Sequence, residues 1–407
     1  MRLLHSKDRS IIWTLFLIKV VGIWIANNRA EQLRRNLALV YTLTALSIAM
    51  GIALRDLHFS WGNFNDCVYI FCNILYLMNG FFKIAVLSAH KRKFFDIVLC
   101  TEQTFMPPTD DQTERKILMD CKRLCDWFIV FIMFCVQGGC SGYAITPFVE
   151  NIGKNESERI LPFNLWIDFP TGMSPYFEVF FTIQILCVYH VAISYFCFDN
   201  FLCILCLNIT GQFRILQHRL RSLASMQTCE QNLNRSRTKS AIERLIKLKS
   251  CIRHHQALIN YCRKLENVFT LIILGEILFV ALLLCCLGFQ VFLMFTPPAR
   301  RISLVLSMMA VSSQLLMFSY CWDGLMRESG NIGQAAFAGP WFVAKMNEGG
   351  RALREDVLII IMRANKACCL TAGGFFPVSL ETFTAVLSTA VSYFTLLRNS
   401  APDLIKT

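Results

Sequence analysis

Long apolar runs separated by short basic segments dominate this chain. A membrane-spanning helix needs about 20 mostly apolar residues, and several runs approach that length. They are Asn36–Leu54, Cys67–Phe82, Trp127–Phe148, Val179–Phe198, Ile277–Ala299, Ile302–Trp322 and Thr382–Leu397. The pattern therefore predicts an all-α membrane protein with seven transmembrane helices. The composition agrees, because 55% of the residues are hydrophobic and 17% are charged, against about a quarter charged in soluble domains.

A further apolar segment, Ile11–Ala26, is shorter and contains Lys19. No clear signal-peptide cleavage site follows Ala26. We interpret the segment as an amphipathic helix that lies in the membrane interface, with Trp13 and Trp24 as anchors. A signal peptide or a further span is the alternative.

The distribution of Lys and Arg predicts the orientation in the membrane. With a cytosolic N-terminus, the cytosolic segments hold seven, seven, twelve and six Lys or Arg, and the outside segments hold one, two, two and two. The cytosolic segments are 1–35, 90–125, 211–265 and 326–367, and the outside segments are 55–66, 147–175, 297–301 and 397–407. Because cytosolic loops are enriched in these residues, we predict a cytosolic N-terminus and an extracellular C-terminus. A G-protein-coupled receptor has the opposite orientation, and the net charge of +12 reflects this topology and gives no reason to invoke nucleic acid.

The same map predicts which glycosylation sequon is used. Asn155-Glu-Ser lies in the long outside loop, whereas the sequons at Asn208 and Asn234 lie on the cytosolic side. Only an outside sequon can receive a glycan. We therefore predict glycosylation at Asn155 alone.

A few charges interrupt the apolar runs near their predicted cytosolic ends. They are Lys83, Asp199, Glu276, Asp323 and Glu381. Charges inside a membrane are usually functional or paired. We favour the simpler interpretation that helices 4 to 7 continue past the bilayer, because the helical patterns Glu178–Gln217 and Ala241–Phe295 are too long for one crossing. The sequence thus predicts a cytosolic helical extension of helices 4 to 7, which would place these charges outside the lipid.

No motif of an enzyme is visible in the sequence. His254-His255 lacks the Glu of a zinc-protease motif, and the Cys203/Cys206 pair has no second pair beside it. The glycine-rich stretch Gly138–Gly142 does not follow a strand, so it does not match a dinucleotide-binding turn. We predict no catalytic residues, no metal and no cofactor.

The last apolar run carries a stripe of small and hydroxylated residues. The stripe consists of Glu381, Ala385, Ser388, Ser392, Thr395 and Asn399. At 100° per residue these lie within roughly 40° of one line along a helix. Such a face is either a packing surface or the wall of an aqueous path. Pro377, preceded by Gly373-Gly374, should break any helix just before this run.

The C-terminal segments Leu370–Thr384 and Ser392–Arg398 are very similar to the C-terminal signature of the insect odorant receptors. Shorter stretches along the chain support the resemblance. They are Val21–Trp24, Met106–Thr109, Leu161–Phe163, Ser174–Tyr176, Gln184, Ser329, Ala335–Phe337 and Trp341. Two positions depart from the family pattern: Ala367 stands where the family often has Pro, and Phe337 where Tyr is common. Neither belongs to the predicted pore.

The resemblance implies a function that composition alone does not give. It implies an odorant receptor subunit of a ligand-gated, non-selective cation channel in the plasma membrane, in the dendrite of an olfactory neuron. The partners it implies are a volatile odorant and a co-receptor subunit, joined in a heterotetramer. A gustatory-type receptor channel of the same fold is the alternative, and a metabotropic G-protein-coupled receptor is a more distant one.

The resemblance also assigns candidate site residues. Helix 7 lines the pore of the family, which implies pore-lining roles for Ser388, Ser392, Thr395 and Leu396, with Leu396 at the gate. The odorant pocket lies in the outer halves of helices 2, 3, 4 and 6. Its candidate residues are Phe71, Tyr76, Tyr143, Phe177, Phe180, Phe181, Met308 and Met309.

Three regions follow from these assignments. Residues 1–35 form the cytosolic N-terminus with the interfacial helix. Residues 36–325 hold transmembrane helices 1 to 6 and the odorant pocket. Residues 326–407 hold a cytosolic loop and the pore-lining helix 7.

Overall fold

The computed structural model describes residues 9–26, 28–104, 111–165, 169–231, 237–293, 298–338 and 348–404. The described chain is almost entirely helical, as the apolar pattern predicts. Its helices are α1 (Arg9–Val21), α2 (Arg29–Phe59), α3 (Phe64–Ala89), α4 (Lys91–Thr104), α5 (Gln112–Glu150), α6 (Tyr176–Gln231), α7 (Arg237–Leu293), α8 (Pro298–Phe337), α9 (Glu348–Ala364) and α10 (Leu380–Leu404). A short 3-10 helix covers Glu156–Glu158, and strands β1 (Thr371–Ala372) and β2 (Phe376–Pro377) form an antiparallel hairpin.

Six of the described helices are long and apolar enough to cross a membrane. They are α2, α3, α5, α6, α7 and α8, and they coincide with the first six predicted spans. The last predicted span lies in α10, which has 25 residues and is therefore about 38 Å long at 1.5 Å per residue. The prediction of a helical membrane protein is confirmed.

Helices α6 and α7 are much longer than one bilayer crossing. They contain 56 and 57 residues, which corresponds to roughly 85 Å each, against a hydrocarbon core of about 30 Å. Residues 194–207 of α6 are all buried. A helix that is mostly apolar and buried on every side belongs in the interior of a bundle, and here α5, α7 and α8 pack against α6.

The N-terminal helix α1 packs on α6 and α2. Its buried face includes Ile18 and Val21, whereas the predicted anchor Trp13 is 63% exposed. Gly22 ends the helix with φ +95°, and a Cβ there would lie 2.4 Å from the backbone nitrogen of Leu39. Only glycine tolerates both this conformation and this approach. The helix is therefore seated on the bundle, and its position at the membrane interface stays a prediction.

The predicted break before the last helix is present. Helix α9 ends at Ala364 and α10 begins at Leu380, with the β1–β2 hairpin between them. The hairpin turns through Gly373 and Gly374, whose φ angles are +60° and +82°. It is attached to α7, because the Gly373 amide donates to the carbonyl of Thr270 at 2.9 Å. The base of α10 is thus tied to α7.

Candidate functional site

A cavity of about 640 Å³ lies among α2, α3, α5, α6 and α8. We call it the main cavity. This volume falls within the range of roughly 300–1,000 Å³ that is typical of small-molecule sites. Its lining is mainly aliphatic and aromatic. The lining residues from α6 and the preceding loop are Phe163, Leu165, Phe180, Ile183, Gln184, Cys187, Val188, Val191, Ala192, Tyr195 and Phe196.

Three of the polar side chains around the main cavity, Gln184, Tyr143 and Asn73, are bound to each other or to the backbone. The Gln184 amide accepts from the Phe163 amide at 2.9 Å and donates to the Phe163 carbonyl at 3.0 Å. The Tyr143 hydroxyl donates to Asn73 Oδ1 at 2.7 Å. Groups already hydrogen-bonded have little to offer a ligand. The cavity therefore suits a compound that binds mainly through apolar contact.

Of the predicted pocket residues, the structure brings three to this cavity. Tyr76, Tyr143 and Phe180 line it. The other five lie elsewhere: Phe71, Phe177, Phe181, Met308 and Met309 are absent from its wall. Phe71 and Met309 are 40% and 41% exposed on the outside of the bundle. The guanidinium carbon of Arg159 lies 5.5 Å from the centroid of the Phe177 ring.

The sequence reasoning missed the small residues that create the space. Val188, Val191 and Ala192 form one face of α6 toward the cavity, and Ala49 and Gly51 do the same from α2. A search for aromatic and Met side chains favours the residues that fill volume, whereas a cavity forms where side chains are short. Ile183, Cys187 and Val191 are spaced four residues apart, which places them on one face of a helix. This spacing could have indicated the face that lines the cavity.

Close packing of α5 on α8 shapes one wall. A Cβ at Gly142 would lie 2.2 Å from the Cβ of Ser303, and one at Gly139 would lie 2.8 Å from Ser307 Oγ. Ser303 Oγ donates to the Gly139 carbonyl at 2.7 Å. The glycine-rich stretch is thus a helix-packing motif.

A buried charged cluster lies beneath the main cavity. Lys83 Nζ contacts Asp199 Oδ2 at 2.5 Å and Glu276 Oε2 at 2.6 Å, and all three side chains are at most 3% exposed. Gln314 Nε2 donates to both carboxylates, at 3.2 Å to Glu276, and Asn79 donates to Glu276 at 2.9 Å. We expected the helical extension to place these charges outside the lipid. Lys83, Asp199 and Glu276 pair with each other in the protein interior and do not reach water, and their level relative to the bilayer stays a prediction.

Tyr195 connects this cluster to the cavity. Its ring lines the cavity and packs edge-on against Tyr76, with centroids 5.2 Å apart. Its carbonyl accepts from Lys83 Nζ at 3.1 Å, and the ring centroid lies 4.4 Å from the same nitrogen. A shift of Tyr195 would therefore change the interactions of Lys83 and of the carboxylates paired with it.

The predicted pore residues lie on one open side of α10. Ser388, Ser392, Thr395 and Leu396 are exposed in the single chain, with Leu396 at 64%. The opposite side carries the buried residues Val386 and Ala390, and α10 packs against α7 and α8. The Ser392 hydroxyl donates to the Ser388 carbonyl at 2.9 Å and the Thr395 hydroxyl donates to the Ser392 carbonyl at 2.8 Å, so these two hydroxyls present oxygens whose protons are already engaged.

Of the sequons, Asn155 is exposed in the loop between α5 and α6. Asn208 lies within α6, and its amide nitrogen is buried. Asn234 lies outside the described residues. The surface position of Asn155 suits a glycan acceptor, and its modification stays a prediction.

The family model described as 7tm Odorant receptor matches residues 63–391. The chain belongs to this family.

Members of the family are odorant receptors, which are membrane proteins and not enzymes, as the sequence predicts. Among curated relatives, Odorant receptor 10 of Aedes albopictus is 25% identical over 355 residues, covering 84% of this chain and 87% of that protein. Odorant receptor 13a of Drosophila melanogaster is 23% identical over 404 residues, with coverages of 96% and 87%.

The fold of this odorant receptor is similar to a solved one. The structure of the insect olfactory receptor OR5 from Machilis hrabei in complex with eugenol superimposes with a TM-score of 0.78, at 14% identity, over 98% of this chain and 100% of that chain. A second structure of the same receptor superimposes with a TM-score of 0.76, at 15% identity, over 98% of this chain and 99% of that chain. The likeness extends over the whole helical architecture.

Proposed function

We propose that this odorant receptor is a subunit of a ligand-gated, non-selective cation channel that binds a volatile compound in the main cavity. The observation that supports this most is the cavity itself. It has the volume of a small-molecule site, its lining is mainly aliphatic and aromatic, and its polar side chains Gln184, Tyr143 and Asn73 are already hydrogen-bonded within the protein. Volatile ligands have few polar groups, so burial of carbon and dispersion would supply the binding energy. The similar Machilis receptor was solved with the small molecule eugenol.

The proposed topology has seven spans, with α10 as the last. The N-terminus is cytosolic and the C-terminus is extracellular, as the charge distribution indicates. The cavity then lies in the outer half of the membrane, because its wall is formed by the second half of α2 and the first half of α6. The lower parts of α6, α7 and α8, with α9 and the hairpin, form a cytosolic extension in which subunits meet.

The proposed pore is formed by α10 of several subunits around one axis. The exposed face with Ser388, Ser392 and Thr395 would face the ion path, and Leu396 would form an apolar constriction that excludes water when closed. We propose that four subunits enclose this path, the number that the family resemblance implies, and that a co-receptor supplies the others. A membrane helix with a hydroxylated face exposed in the single chain is what such an assembly requires.

The buried cluster offers a route from cavity to pore. An odorant that contacts Tyr195 acts on the Lys83 pairing, and Glu276 of that pairing belongs to α7. Helix α7 contacts α10, where the rings of Phe292 and Phe394 lie 5.6 Å apart. A change at the cavity floor can thus move α10 through one rigid helix.

The ligand site is tested by filling the cavity. Val191→Trp adds an indole to the α6 wall of the main cavity, so we expect loss of odorant-evoked current when the full chain is expressed with a co-receptor. Ile193→Trp on the same helix is the control, because Ile193 does not line the cavity. Both variants are first checked for surface expression. Recordings use excised patches without nucleotide, since current that needs a nucleotide or a G protein would indicate a metabotropic receptor instead.

The pore is tested at Leu396. Replacing Leu396 with Ser removes an apolar side chain from the constriction and lowers the barrier to wetting, so we expect resting current without odorant or a change in cation selectivity. Leu396→Ile keeps the apolar character and should behave like wild type. If Leu396→Ser reaches the surface with normal resting current and selectivity, the α10 face is a packing surface and the pore lies elsewhere.

A further inference from the structure

A second cavity of about 200 Å³ adjoins the main cavity on its outer side. We call it the outer cavity. Four residues line both spaces: Tyr76, Tyr143, Phe163 and Ser307. The two cavities are therefore neighbours separated by single side chains.

The Tyr143 ring is the main partition. It stacks between Tyr69, at 6.2 Å between centroids, and Phe163, at 5.6 Å. Its hydroxyl is held by Asn73. The Arg300 guanidinium lies 3.8 Å from the Tyr69 ring centroid, which holds the outer end of the stack. Because the Tyr143 ring is held both by stacking and through its hydroxyl, it forms a fixed partition between the two cavities.

The wall of the outer cavity is more polar than that of the main cavity, and it contains buried polar groups that lack a hydrogen-bond partner among the described residues. Gln290 is 1% exposed, lines the outer cavity, and its Oε1 has no hydrogen-bond partner among the described residues. Its amide nitrogen donates to Cys72 Sγ at 3.7 Å. Thr146, which lines the same space, has a buried hydroxyl that is also unpartnered among the described residues. Buried polar groups are nearly always hydrogen-bonded, so these two indicate that something polar occupies the space.

The charged side chains around the outer cavity indicate whether a polar ligand group there is anionic, cationic or neutral. Its wall carries three carboxylates, Asp56, Asp66 and Glu150, and one guanidinium, Arg300. An anionic ligand would meet an excess of negative charge. A cationic ligand would have to lose its hydration beside the apolar inner wall. A neutral hydroxyl avoids both costs, and it can donate to Gln290 Oε1 and also accept a hydrogen bond.

We propose that the outer cavity binds the hydroxyl group of an alcohol or phenol whose carbon skeleton occupies the main cavity. The inference rests on the proposed role of the main cavity as the odorant site. The ligand passes the edge of Tyr143, so that its apolar body contacts Val191 and Phe180 while its hydroxyl reaches Gln290. The alcohols and phenols are then preferred over ethers of the same carbon skeleton.

The test compares matched compounds on matched variants. The full chain is expressed with a co-receptor, and dose–response curves are measured for n-hexanol, n-octanol and p-cresol, each beside its methyl ether. In the wild type we expect each hydroxyl compound to act at about tenfold lower concentration than its ether, the factor expected for one buried hydrogen bond. Gln290→Met keeps the side-chain length and removes both polar atoms, so the ratio should fall to about one.

Two control variants make the result specific. Gln137→Met makes the same replacement at an exposed position of α5 outside both cavities, and the preference should survive. Gln290→Glu keeps an acceptor oxygen at the outer cavity and should retain a preference for the hydroxyl compound. All variants are compared at equal surface expression.

The outcomes separate this inference from the proposed function. If Val191→Trp weakens responses to alcohols and ethers while Gln290→Met leaves their ratio unchanged, the main cavity binds the odorant and the outer cavity holds only water. If Val191→Trp changes no response, the proposed odorant site itself is wrong. If the wild type shows no preference for the hydroxyl compounds, or responds to none of them, the assigned ligand class is wrong and the inference is overturned.

Discussion

The buried Lys83 should be among the most sensitive positions for stability. Lys83→Met removes the only cation from a cluster that contains Asp199 and Glu276 and replaces it with an apolar side chain of similar length. The two carboxylates are at most 3% exposed and both face the Lys83 nitrogen. After the substitution they face each other, with only the amide donors of Asn79 and Gln314 left to stabilise them.

The size of the effect follows from this geometry. Removing one partner of a buried ion pair costs roughly 3–5 kcal/mol, because an uncompensated charge remains buried. Total folding stabilities are of the order of 5–15 kcal/mol, so the loss is a large fraction. Asp199→Asn should cost less than Lys83→Met, because Lys83 keeps Glu276 and the formal charge of the cluster changes from −1 to zero.

The assay measures two properties of each variant. They are the thermal stability of the detergent-solubilised full chain and its expression at the cell surface. Heating followed by size-exclusion chromatography gives a midpoint for each variant, used as an operational measure because such proteins often unfold irreversibly. We expect Lys83→Met to lower the midpoint by several degrees and to reduce surface expression. Lys93→Met is the matched control, since Lys93 is exposed on α4.

A neutral triple variant tests the electrostatic reasoning directly. Lys83→Met combined with Asp199→Asn and Glu276→Gln removes every charge from the site while keeping side-chain size. Replacing a whole buried ion group by neutral residues is often tolerated, so this variant should be more stable than Lys83→Met alone. The reasoning is refuted if Lys83→Met is as stable as Lys93→Met, or if the triple variant is no better than the single one.

The remaining predictions concern packing and topology. Gly142→Ala should lower surface expression, because the new Cβ would lie 2.2 Å from the Cβ of Ser303 and force α5 away from α8; Gly324→Ala, with nothing within 4 Å, should be tolerated. Removal of glycan by an endoglycosidase should shift the wild-type band but not that of Asn155→Gln, and a shift retained in that variant or lost in Asn208→Gln contradicts the topology. An epitope at the C-terminus should be labelled on intact cells, and one at the N-terminus only after permeabilisation; the reverse pattern excludes the proposed orientation.

The helices and their boundaries follow largely from local sequence. Each long apolar run became a helix because backbone groups in an apolar setting must bond within their own segment. The break before α10 was predictable from Pro377 and the two glycines, since proline removes a donor and glycine alone adopts positive φ freely. The exposed face of α10 was predictable too, because the spacing of Ser388, Ser392 and Thr395 is a property of one helix.

The main cavity was only partly predictable. The sequence indicates which helices carry bulky apolar residues, but a cavity lies where the short side chains of several helices meet. That Val191 and Ala192 of α6 face Ala49 and Gly51 of α2 depends on how the helices are rotated against each other. This rotation is decided by close approaches such as that of Gly142 to Ser303, which join helices far apart in sequence.

The chain's sequence thus determined its class, its helices and the polar face of its last helix, since each depends on periodicity within one segment. Tertiary structure alone decided the partners of the buried charges: Lys83 and Asp199 are 116 positions apart, and nothing local to either residue reveals the other. An isolated charge on an apolar helix has the same sequence pattern whether it reaches water or an opposite charge. Because an unpaired charge is costly to bury, such a charge either reaches water or meets an opposite charge. The packing of α3, α6 and α7 selected the pairing with an opposite charge.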